Sequence, residues 1–188
     1  MKKILLKILK LYHIVCLNFK IGITKILNRH RLDINSANIP FDFCHKMVEG
    51  KGKIRIGENF HIRKWSYIRV RSGARLDIGD NCSFNNRVSI VCRDEIKIGD
   101  NVLIGENVAI YDHNHIYNGT DVVANCGFIT KKINIGNNVW IGSNAVILPG
   151  SIIGDNCVIG AGTLVNNEIP SNSVIYDKRE KIIKKIEK

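Results

Sequence analysis

Aromatic and acidic residues are both scarce in this chain. Aromatics make up 7% of its 188 residues, and 17 Asp and Glu face 28 Lys and Arg, which leaves a formal charge of +11. Such an excess of positive charge favours an anionic partner. The lysines crowd the first 31 and the last 11 residues, however, and the middle of the chain offers few rings on which bases could stack. The composition therefore argues against nucleic acid and leaves anionic lipid or a small phosphate-bearing molecule.

The chain also lacks any close pairing of cysteines. Its six cysteines form no Cys-x-x-Cys pair and no Cys/His cluster with the spacing of zinc ligands. We therefore expect reduced, buried side chains in a cytosolic protein, and no metal site. The six are Cys16, Cys44, Cys82, Cys92, Cys126 and Cys157.

No hydrophobic run is long enough to span a bilayer. The first seventeen residues (1–17) are largely apolar, but Lys7 and Lys10 interrupt them and no small-residue cleavage site follows. Lys3, Lys7, Lys10 and His13 recur at helical spacing, which predicts an amphipathic helix with a narrow polar stripe. Two interpretations stay open. The helix either packs on the protein or a neighbouring subunit, or lies in a membrane interface and holds a cytoplasmic protein at the inner face of the membrane.

A six-residue rhythm runs from about residue 54 to residue 166. Its aliphatic positions recur in groups of three, and the residue two places earlier is often small. A period of six fits two strand alternations followed by a corner, and it does not fit the 3.6-residue period of a helix. Both positions are therefore predicted to point inward. The aliphatic ones are Ile56, Ile62, Ile68, Ile78, Phe84, Ile90, Ile98, Ile104, Ile110, Ile135, Ile141, Ile147, Ile153, Ile159 and Val165, and the small ones are Cys82, Val139, Ala145, Ser151, Cys157 and Thr163.

Glycine and asparagine mark the predicted corners. Gly follows the aliphatic residue and Asn comes two places later, and both residue types tolerate positive φ. Three strands and three corners make a coil of eighteen residues, and stacked coils bury a continuous aliphatic core. The sequence thus predicts an all-β parallel β-helix, because the strands of a sandwich would not keep a strict period of six. The corner residues are Gly57, Gly79, Gly99, Gly105, Gly136, Gly142, Gly154 and Gly160, with Asn59, Asn81, Asn101, Asn107, Asn138, Asn144 and Asn156.

The rhythm breaks most strongly between Ile110 and Ile135, where the chain reads YDHNHIYNGT. Insertions in solenoids form loops on one face, so a polar, histidine-bearing loop is predicted at 111–134. Smaller irregularities are the steps of ten from Ile68 to Ile78 and of eight from Ile90 to Ile98.

A chain of this length supports one domain with small terminal attachments. We predict an amino-terminal amphipathic helix and lead-in over 1–50, a β-helix domain over 51–170, and a basic helix or tail over 171–188. Asp177 and Glu180 have the spacing of a capping box, which would start the last helix with its isoleucines on one side.

The segment from Ile78 to about Pro170 contains two motif-bearing stretches and resembles the hexapeptide-repeat O-acetyltransferases, the group that includes galactoside, maltose and polysaccharide acetyltransferases. The two stretches read IGDNVLIGENVAIYDHNHIY from Ile98 and INIGNNVWIGSNAVILPGSIIGDNCVIGAGTLV from Ile133. A histidine loop, WIGS and IGAG in this order carry the resemblance. It implies a left-handed β-helix, acetyl-CoA as co-substrate and no required metal. It also implies a homotrimer in which the acetyl donor lies between neighbouring solenoids.

The resemblance further implies roles for single residues. His115 matches the catalytic histidine, and Ser143 matches the residue whose backbone N–H faces the thioester oxygen. On the acceptor side, Asn85 and Trp140 match family positions, and Asp112 and His113 share the histidine loop. Basic or polar positions matching the coenzyme site are Ala161, Asn166 and Asn167 at the pantetheine arm and Lys181 and Lys184 at the nucleotide phosphates.

Histidine suits this chemistry because a sugar hydroxyl is a poor nucleophile and needs a base that titrates near neutrality. A backbone carbonyl or Asp112 would fix the tautomer of His115. The N–H of Ser143 would stabilise the charge that builds on the thioester oxygen by about 3 kcal/mol. His113, two residues away, stays an alternative base. The predicted activity is acetyl-CoA-dependent O-acetylation of a sugar or surface-glycan precursor.

Two other functions compete with this interpretation. The γ-class carbonic anhydrases share the fold and bind zinc through three histidines contributed across a subunit interface. His61, His113 and His115 are the candidates here, although the His-x-His spacing differs from that class. The second is a solenoid scaffold that has lost its chemistry. The chain also lacks the Gly-x-Pro-Ala turn with which the family usually ends and reads YDKREKIIKKIEK instead.

Overall fold

A computed structural model describes residues 2–28, 31–34, 37–38, 47–117, 119–178, 180 and 182–184. They form one α-helix, α1 (Lys2–Leu27), and short strands that stack in coils. A first partial coil holds β1 (Leu32–Ile34) and β2 (Ala37–Asn38). Three full coils follow: β3 (Lys53–Ile56), β4 (Phe60–Ile62), β5 (Tyr67–Val70); β6 (Arg75–Ile78), β7 (Ser83–Phe84), β8 (Ser89–Cys92); and β9 (Glu95–Ile98), β10 (Leu103–Ile104), β11 (Ala109–Tyr111).

A hairpin then interrupts the solenoid. It consists of β12 (His113–His115) and β13 (Phe128–Thr130), with a short 3-10 helix, η1 (Val123–Asn125), in the connection. The coils resume with β14 (Ile133–Ile135), β15 (Trp140–Ile141), β16 (Val146–Ile147); β17 (Ile152–Ile153), β18 (Val158–Ile159), β19 (Leu164–Val165); and a last partial coil of β20 (Glu168–Ile169) and β21 (Val174–Ile175).

The coils stack into three parallel sheets. Sheet A contains β1, β3, β6, β9, β14, β17 and β20; sheet B contains β2, β4, β7, β10, β15, β18 and β21; sheet C contains β5, β8, β11, β16 and β19. The predicted fold class, an all-β hexapeptide-repeat β-helix with one extended loop, is confirmed. The left hand of that β-helix comes with the family resemblance. Of the two predicted terminal helices, the described residues contain the amino-terminal one.

Every predicted inward position is buried. The aliphatic residues from Ile56 to Val165 and the small residues that precede them belong to one continuous core, in which Ser151 and Thr163 are the polar members. Phe60 and Phe84 pack edge to face there, with ring centroids 5.0 Å apart. The alternation of inward and outward residues along each short strand therefore sets the register between coils.

The predicted corner asparagines all adopt positive φ, between 53° and 62°. Their side chains also form ladders from coil to coil. Asn138 Nδ2 donates to Asn156 Oδ1 at 2.9 Å, and Asn156 Nδ2 donates to Asn172 Oδ1 at 3.1 Å. Asparagine therefore serves both the backbone conformation and the stacking of the corners.

The glycines that precede these asparagines serve a different purpose from the one predicted. None of the repeat glycines has a positive φ. A Cβ on Gly99 would instead lie 2.7 Å from Gly136 O, and one on Gly142 would lie 2.6 Å from Ala161 N. These positions lack a side chain because the backbone of the next coil passes too close.

The described cysteines are free, and the repeat cysteines pack in the core. Cys82 and Cys157 are buried, and their thiols donate to the carbonyls of Gly99 and Pro170 at 3.1 and 3.2 Å. Burial raises the pKa of Cys82 to about 11. Cys44 lies outside the described residues.

Both ends of the solenoid differ from the sequence prediction. The helix runs to Leu27 rather than to residue 17, and strand pairing begins at Leu32, well before the predicted boundary at 51. At the other end, a basic helix or tail was predicted, and the described residues between 176 and 184 have no helical structure. Ile182 and Ile183 are 83% and 90% exposed, so a short helix there would have no surface to pack on.

Within the described residues, α1 included, no helix is long and apolar enough to cross a membrane.

Candidate active site

The histidine hairpin leaves the solenoid at the corner between sheets C and A. β11 ends at Tyr111, and β12 pairs antiparallel with β13 so that His113 faces Thr130 and His115 faces Phe128. The sequence predicted a loop here, and the structure adds this two-stranded ladder. Lys131 N donates to Asp112 O at 2.9 Å, which closes the base of the hairpin onto the next coil.

Asp112 anchors the hairpin. Its carboxylate is fully buried and accepts hydrogen bonds from the backbone N–H of Arg93 at 2.9 and 3.0 Å and of Asp94 at 2.7 Å. These donors belong to the corresponding corner of the preceding coil. A buried carboxylate is stable only when such donors surround it, so this contact fixes where the hairpin starts.

Asp112 also contacts His113. Its Oδ1 lies 3.2 Å from His113 Nδ1, and the imidazole side chain is only 14% exposed. Burial lowers the pKa of His113, and nearby Arg93 acts in the same direction, while the contact with Asp112 opposes both. The sequence placed Asp112 beside His115; the structure gives this carboxylate to His113, because adjacent residues at the root of the hairpin are within reach of each other.

His115 is exposed and lies against an aromatic ring. Its centroid is 4.4 Å from that of Phe128, and the guanidinium of Arg93 covers the same ring at 3.2 Å from the centroid. The His115 ring makes no hydrogen bond within the described part of the chain. Arg93 Nε is buried without a hydrogen-bond partner among the described atoms, so its main contact is with the face of Phe128.

Ser143 lies at a different corner, between sheets B and C. Its side-chain oxygen accepts from Glu106 N at 3.2 Å, and its carbonyl accepts from Gly162 N at 2.8 Å. The Ser143 N–H donates to none of the described residues. Ala161 occupies the equivalent corner of the following coil and is exposed. The structure thus stacks the WIGS and IGAG motifs at one edge.

Asn85 occupies the same edge two coils before Ser143. Its Oδ1 accepts from Asn86 N at 3.1 Å, and its backbone N–H donates to Ile104 O at 2.9 Å. Asn85 is therefore a corner residue, as its repeat position alone indicates, and its half-buried side chain remains beside the Ser143 edge.

Trp140 stands on the outer face of sheet B and is 56% exposed. It pairs with Leu103 on one side and Val158 on the other. These residues line a shallow groove of about 190 Å³, which also includes the corner asparagines Asn101, Asn138 and Asn156.

The remaining coenzyme candidates follow the last full coil. Asn166 and Asn167 come directly after β19, both exposed, and Asn167 O accepts from Ile152 N at 3.3 Å. Lys184 is exposed in a segment without regular structure, and Lys181 lies outside the described residues.

The candidates form two groups that sheet C separates. Asn85, Ser143 and Ala161 precede the strands of this sheet, and the Asp112 corner and Asn167 follow them. Five residue steps across β16 separate Ser143 from Leu148, at most about 17 Å at about 3.3 Å per extended residue. No described contact joins the two groups within one chain.

The zinc candidates are not assembled either. His61 lies on sheet B, where its Nδ1 is 2.9 Å from Asn59 O, and the described residues contain no group of three His, Cys, Asp or Glu side chains that could hold a metal. The three histidine candidates are therefore not brought together within the described part of one chain.

Sequence reasoning missed Arg93 and Phe128. The eight-residue step between Ile90 and Ile98 contains Arg93, and Phe128 is the aromatic residue near the end of the insertion. Both signals were visible, but the contact between them depends on how the hairpin folds back onto the previous coil.

Two family models match the chain. One describes the bacterial transferase hexapeptide, six repeats, over residues 132–167, and the other the hexapeptide repeat of succinyl-transferase over residues 95–126. Both matched segments are hexapeptide repeats. One 39-residue segment of the chain is 51% identical to WbbJ of Escherichia coli strain K12, a lipopolysaccharide biosynthesis O-acetyl transferase candidate. That segment covers 21% of this chain and 20% of WbbJ.

Solved structures of acetyltransferases are also similar. A galactoside acetyltransferase in complex with coenzyme A is 28% identical, with 84% of this chain and 74% of that chain covered and a TM-score of 0.54. The hexapeptide-repeat acetyltransferase VCA0836 from Vibrio cholerae, complexed with acetyl coenzyme A, is 29% identical, with 67% of this chain covered and a TM-score of 0.49. The match spans 63% of the length of VCA0836.

Proposed function

We propose that this chain is an acetyl-CoA-dependent O-acetyltransferase acting on a hydroxyl of a sugar or surface-glycan precursor. The observation that carries the proposal is the histidine hairpin, which the buried carboxylate of Asp112 anchors to the solenoid. The stacked WIGS and IGAG corners and the likeness to a galactoside acetyltransferase bound to coenzyme A support it. The O-acetyl transferase name of WbbJ, over its short match, supports the choice of oxygen as acceptor.

In this proposal His115 and His113 have different roles. His115 is exposed, so it can approach an acceptor hydroxyl and remove its proton as the bond to the acetyl carbon forms. The same ring can then protonate the departing CoA sulfur. His113 is a positioning residue, because its contact with Asp112 and its burial hold β12 in place. Phe128 supports the His115 ring from one side.

Ser143 and its neighbours would hold the acetyl donor. The backbone N–H of Ser143 donates to no described residue and is therefore available to a thioester oxygen, where such a donor contributes about 3 kcal/mol. Trp140 borders this edge on sheet B, and Asn85 lies along it toward the acceptor. Ala161, Asn166 and Asn167 are the candidates for the pantetheine arm, and Lys181 and Lys184 for the anionic nucleotide end.

The active unit is proposed to be a homotrimer. The width of sheet C separates His115's hairpin from the Ser143 edge in one chain, so a second solenoid packed against the first would bring a hairpin of one copy to the edge of the other. Each complete site would then lie between two subunits. The coenzyme phosphates would meet a protein whose formal charge is +11.

Release of CoA thiol during incubation with acetyl-CoA and a panel of sugars and glycan precursors tests the proposal. His115→Ala should lower kcat by about 100-fold or more, in the range expected for losing a general base, with little change in the affinity for acetyl-CoA. His113→Ala should cost much less. His61→Ala, at an exposed histidine on sheet B, is the matched control and should leave kcat unchanged.

Three results would contradict parts of this proposal. If His113→Ala has the large effect and His115→Ala the small one, His113 is the base. If neither matters, the general-base mechanism is wrong. If the wild-type protein releases no CoA with any hydroxyl acceptor, the chain is a scaffold or acts on another nucleophile.

A further inference from the structure

Helix α1 meets the solenoid along one narrow stripe near its end. Leu17, Ile21, Thr24 and Asn28 follow one another by three or four residues, and the last three of them are buried. Asn28 fixes the junction, since its Oδ1 accepts from Met47 N at 2.6 Å and Val48 N at 2.8 Å. The helix therefore caps the first coil with its last three turns.

A second apolar face lies on the opposite side of the helix. Since each residue turns the helix by about 100°, Ile8, Val15, Phe19 and Ile26 point away from the stripe that contacts the solenoid. The exposed fractions of these side chains lie between 57% and 70%. Leu11 and Tyr12, at 63% and 68%, widen the same face. We call Ile8, Leu11, Tyr12, Val15, Phe19 and Ile26 the outer face of α1.

The helix that carries this outer face is strongly basic. The 26 residues of α1 contain no Asp and no Glu, and their lysines are Lys2, Lys3, Lys7, Lys10, Lys20 and Lys25. Of those with described side chains, Lys7 and Lys25 lie on one flank of the outer face, and Lys20 lies on the other. A helix with an apolar face bordered by lysines complements a bilayer whose surface is anionic.

Packing of α1 helices from several copies is the competing way to cover such a face. Each helix would bring six lysines and no acidic residue into that contact, so the helices would repel one another. A coiled-coil contact normally places opposite charges beside its apolar seam, and this helix has only one sign to offer. The charge pattern therefore favours lipid over a second copy of the chain.

We propose that the outer face of α1 lies in the interface of an anionic bilayer and holds the amino-terminal end of the solenoid against it. The helix is about 39 Å long and lies along the surface, since no described helix is apolar enough to cross. The apolar side chains enter the boundary of the acyl chains, and the flanking lysines meet the headgroup phosphates. The contact requires neither acetyl-CoA nor an acceptor, and so it stands apart from the proposed function.

Co-sedimentation of the full-length protein with vesicles tests this inference. We expect binding to vesicles of phosphatidylcholine with about one-third phosphatidylglycerol, and much weaker binding to phosphatidylcholine alone or at high salt. Val15→Gln with Phe19→Gln removes two side chains of the outer face without changing the charge, and should lower the partition coefficient by about 100-fold. Gln is a good helix former, so α1 itself should persist.

Ile14→Gln is the matched control. Ile14 neighbours Val15 and is 53% exposed, but it points toward the lysine flank rather than to the outer face. Its substitution should change the partition coefficient by less than about threefold, although it removes a larger side chain than Val15→Gln does. Failure of the wild-type protein to bind the anionic vesicles overturns the inference. So does an equal loss for Ile14→Gln, or a smaller molar mass by light scattering, without lipid, for the outer-face pair.

Discussion

The stacked coils and the histidine hairpin are held by different kinds of contact. In the coils, each corner repeats the contact of the corner before it, so that Asp80, Asp100, Asn137 and Asp155 all accept a backbone N–H from a corner of the preceding coil. In the hairpin, one buried carboxylate and one stack of Arg93, Phe128 and His115 provide the attachment. The corner contact of the coils is repeated many times along the solenoid, whereas the contacts that attach the hairpin occur once.

This difference separates stability from chemistry. A solenoid distributes its stability over nearest-neighbour contacts between coils, so the loss of one polar corner contact is compensated by the others. The hairpin has no repeated contacts that could compensate in this way. Its exposed backbone ladder has three residue pairs. The ladder depends on the contacts of Asp112 at the root of the hairpin, where the chain leaves the last coil before the insertion. We therefore expect substitutions in the coils to act on global unfolding and substitutions at the root to act locally.

Gly99→Ala should produce the largest loss of stability, because the backbones of two adjacent coils approach each other too closely at this position to admit a Cβ. A Cβ there would lie 2.7 Å from Gly136 O and 2.8 Å from Gly136 C, and this backbone cannot move without breaking the bond from Gly99 N to Ile135 O at 2.9 Å. The free energy of unfolding, measured in urea, should fall by about 3 kcal/mol.

Gly22→Ala is the control for that measurement. Gly22 lies in α1 with no atom within 4 Å of its missing Cβ, so alanine should stabilise the helix by up to about 1 kcal/mol. A loss below about 1 kcal/mol for Gly99→Ala would mean that the coils separate more easily than the close approach indicates.

Asp112→Asn should have the next largest effect, and a local one. The amide keeps the shape of the carboxylate but loses its charge, and it replaces one of the two oxygens that accept from the N–H groups of Arg93 and Asp94 by an N–H₂ group, which cannot accept. A cost of about 2 kcal/mol is typical of hydrogen bonds to a charged group. Hydrogen exchange should accelerate at His113–His115 and Phe128–Thr130 and stay slow in sheets A and B.

Asp155→Asn is the matched control at a coil corner. Asp155 Oδ1 accepts from Asn137 N at 2.6 Å, and in the preceding corner Asn137 itself performs the same function for Asp100 N at 2.9 Å. The substitution should therefore change the free energy of unfolding by less than about 0.5 kcal/mol. If Asp112→Asn is equally mild, or accelerates exchange throughout the solenoid, the hairpin is not a separate unit.

The same division explains what could be predicted from the sequence. The buried aliphatic positions and the corner asparagines were correct because each is specified many times by the period of six. The reason given for the repeat glycines was wrong, since the close approach of Gly99 to Gly136 is a property of two coils and not of one corner. Local tolerance of positive φ cannot reveal it.

The ends and the hairpin were less predictable for related reasons. Lys181 and Lys184 were assigned beside an expected helix that would have no surface to pack on. In contrast, α1 extends past residue 17 because Ile21 and Thr24 are buried where the helix packs on the first coil. The contact of Arg93 with Phe128 joins a coil corner to a segment 35 positions later in the chain. Neither periodicity nor motif spacing contains that information.

The smallest effect concerns protonation of His113, which tests whether burial or Asp112 dominates at the root of the hairpin. Burial lowers the pKa of His113 in the folded protein, so the unfolded chain takes up this proton first as the pH falls below about 6.5. The neutral imidazole thus contributes stability that is complete above that pH and is lost as the pH falls through the folded pKa.

The ring resonances of His113 should titrate with a midpoint below about 6.5, and the difference in unfolding free energy between the wild type and His113→Gln should shrink from pH 7.5 to pH 5. A midpoint above that value, with a difference that grows on acidification, would mean that an ion pair with Asp112 outweighs burial. The root of the hairpin would then be held by an ion pair between the His113 and Asp112 side chains.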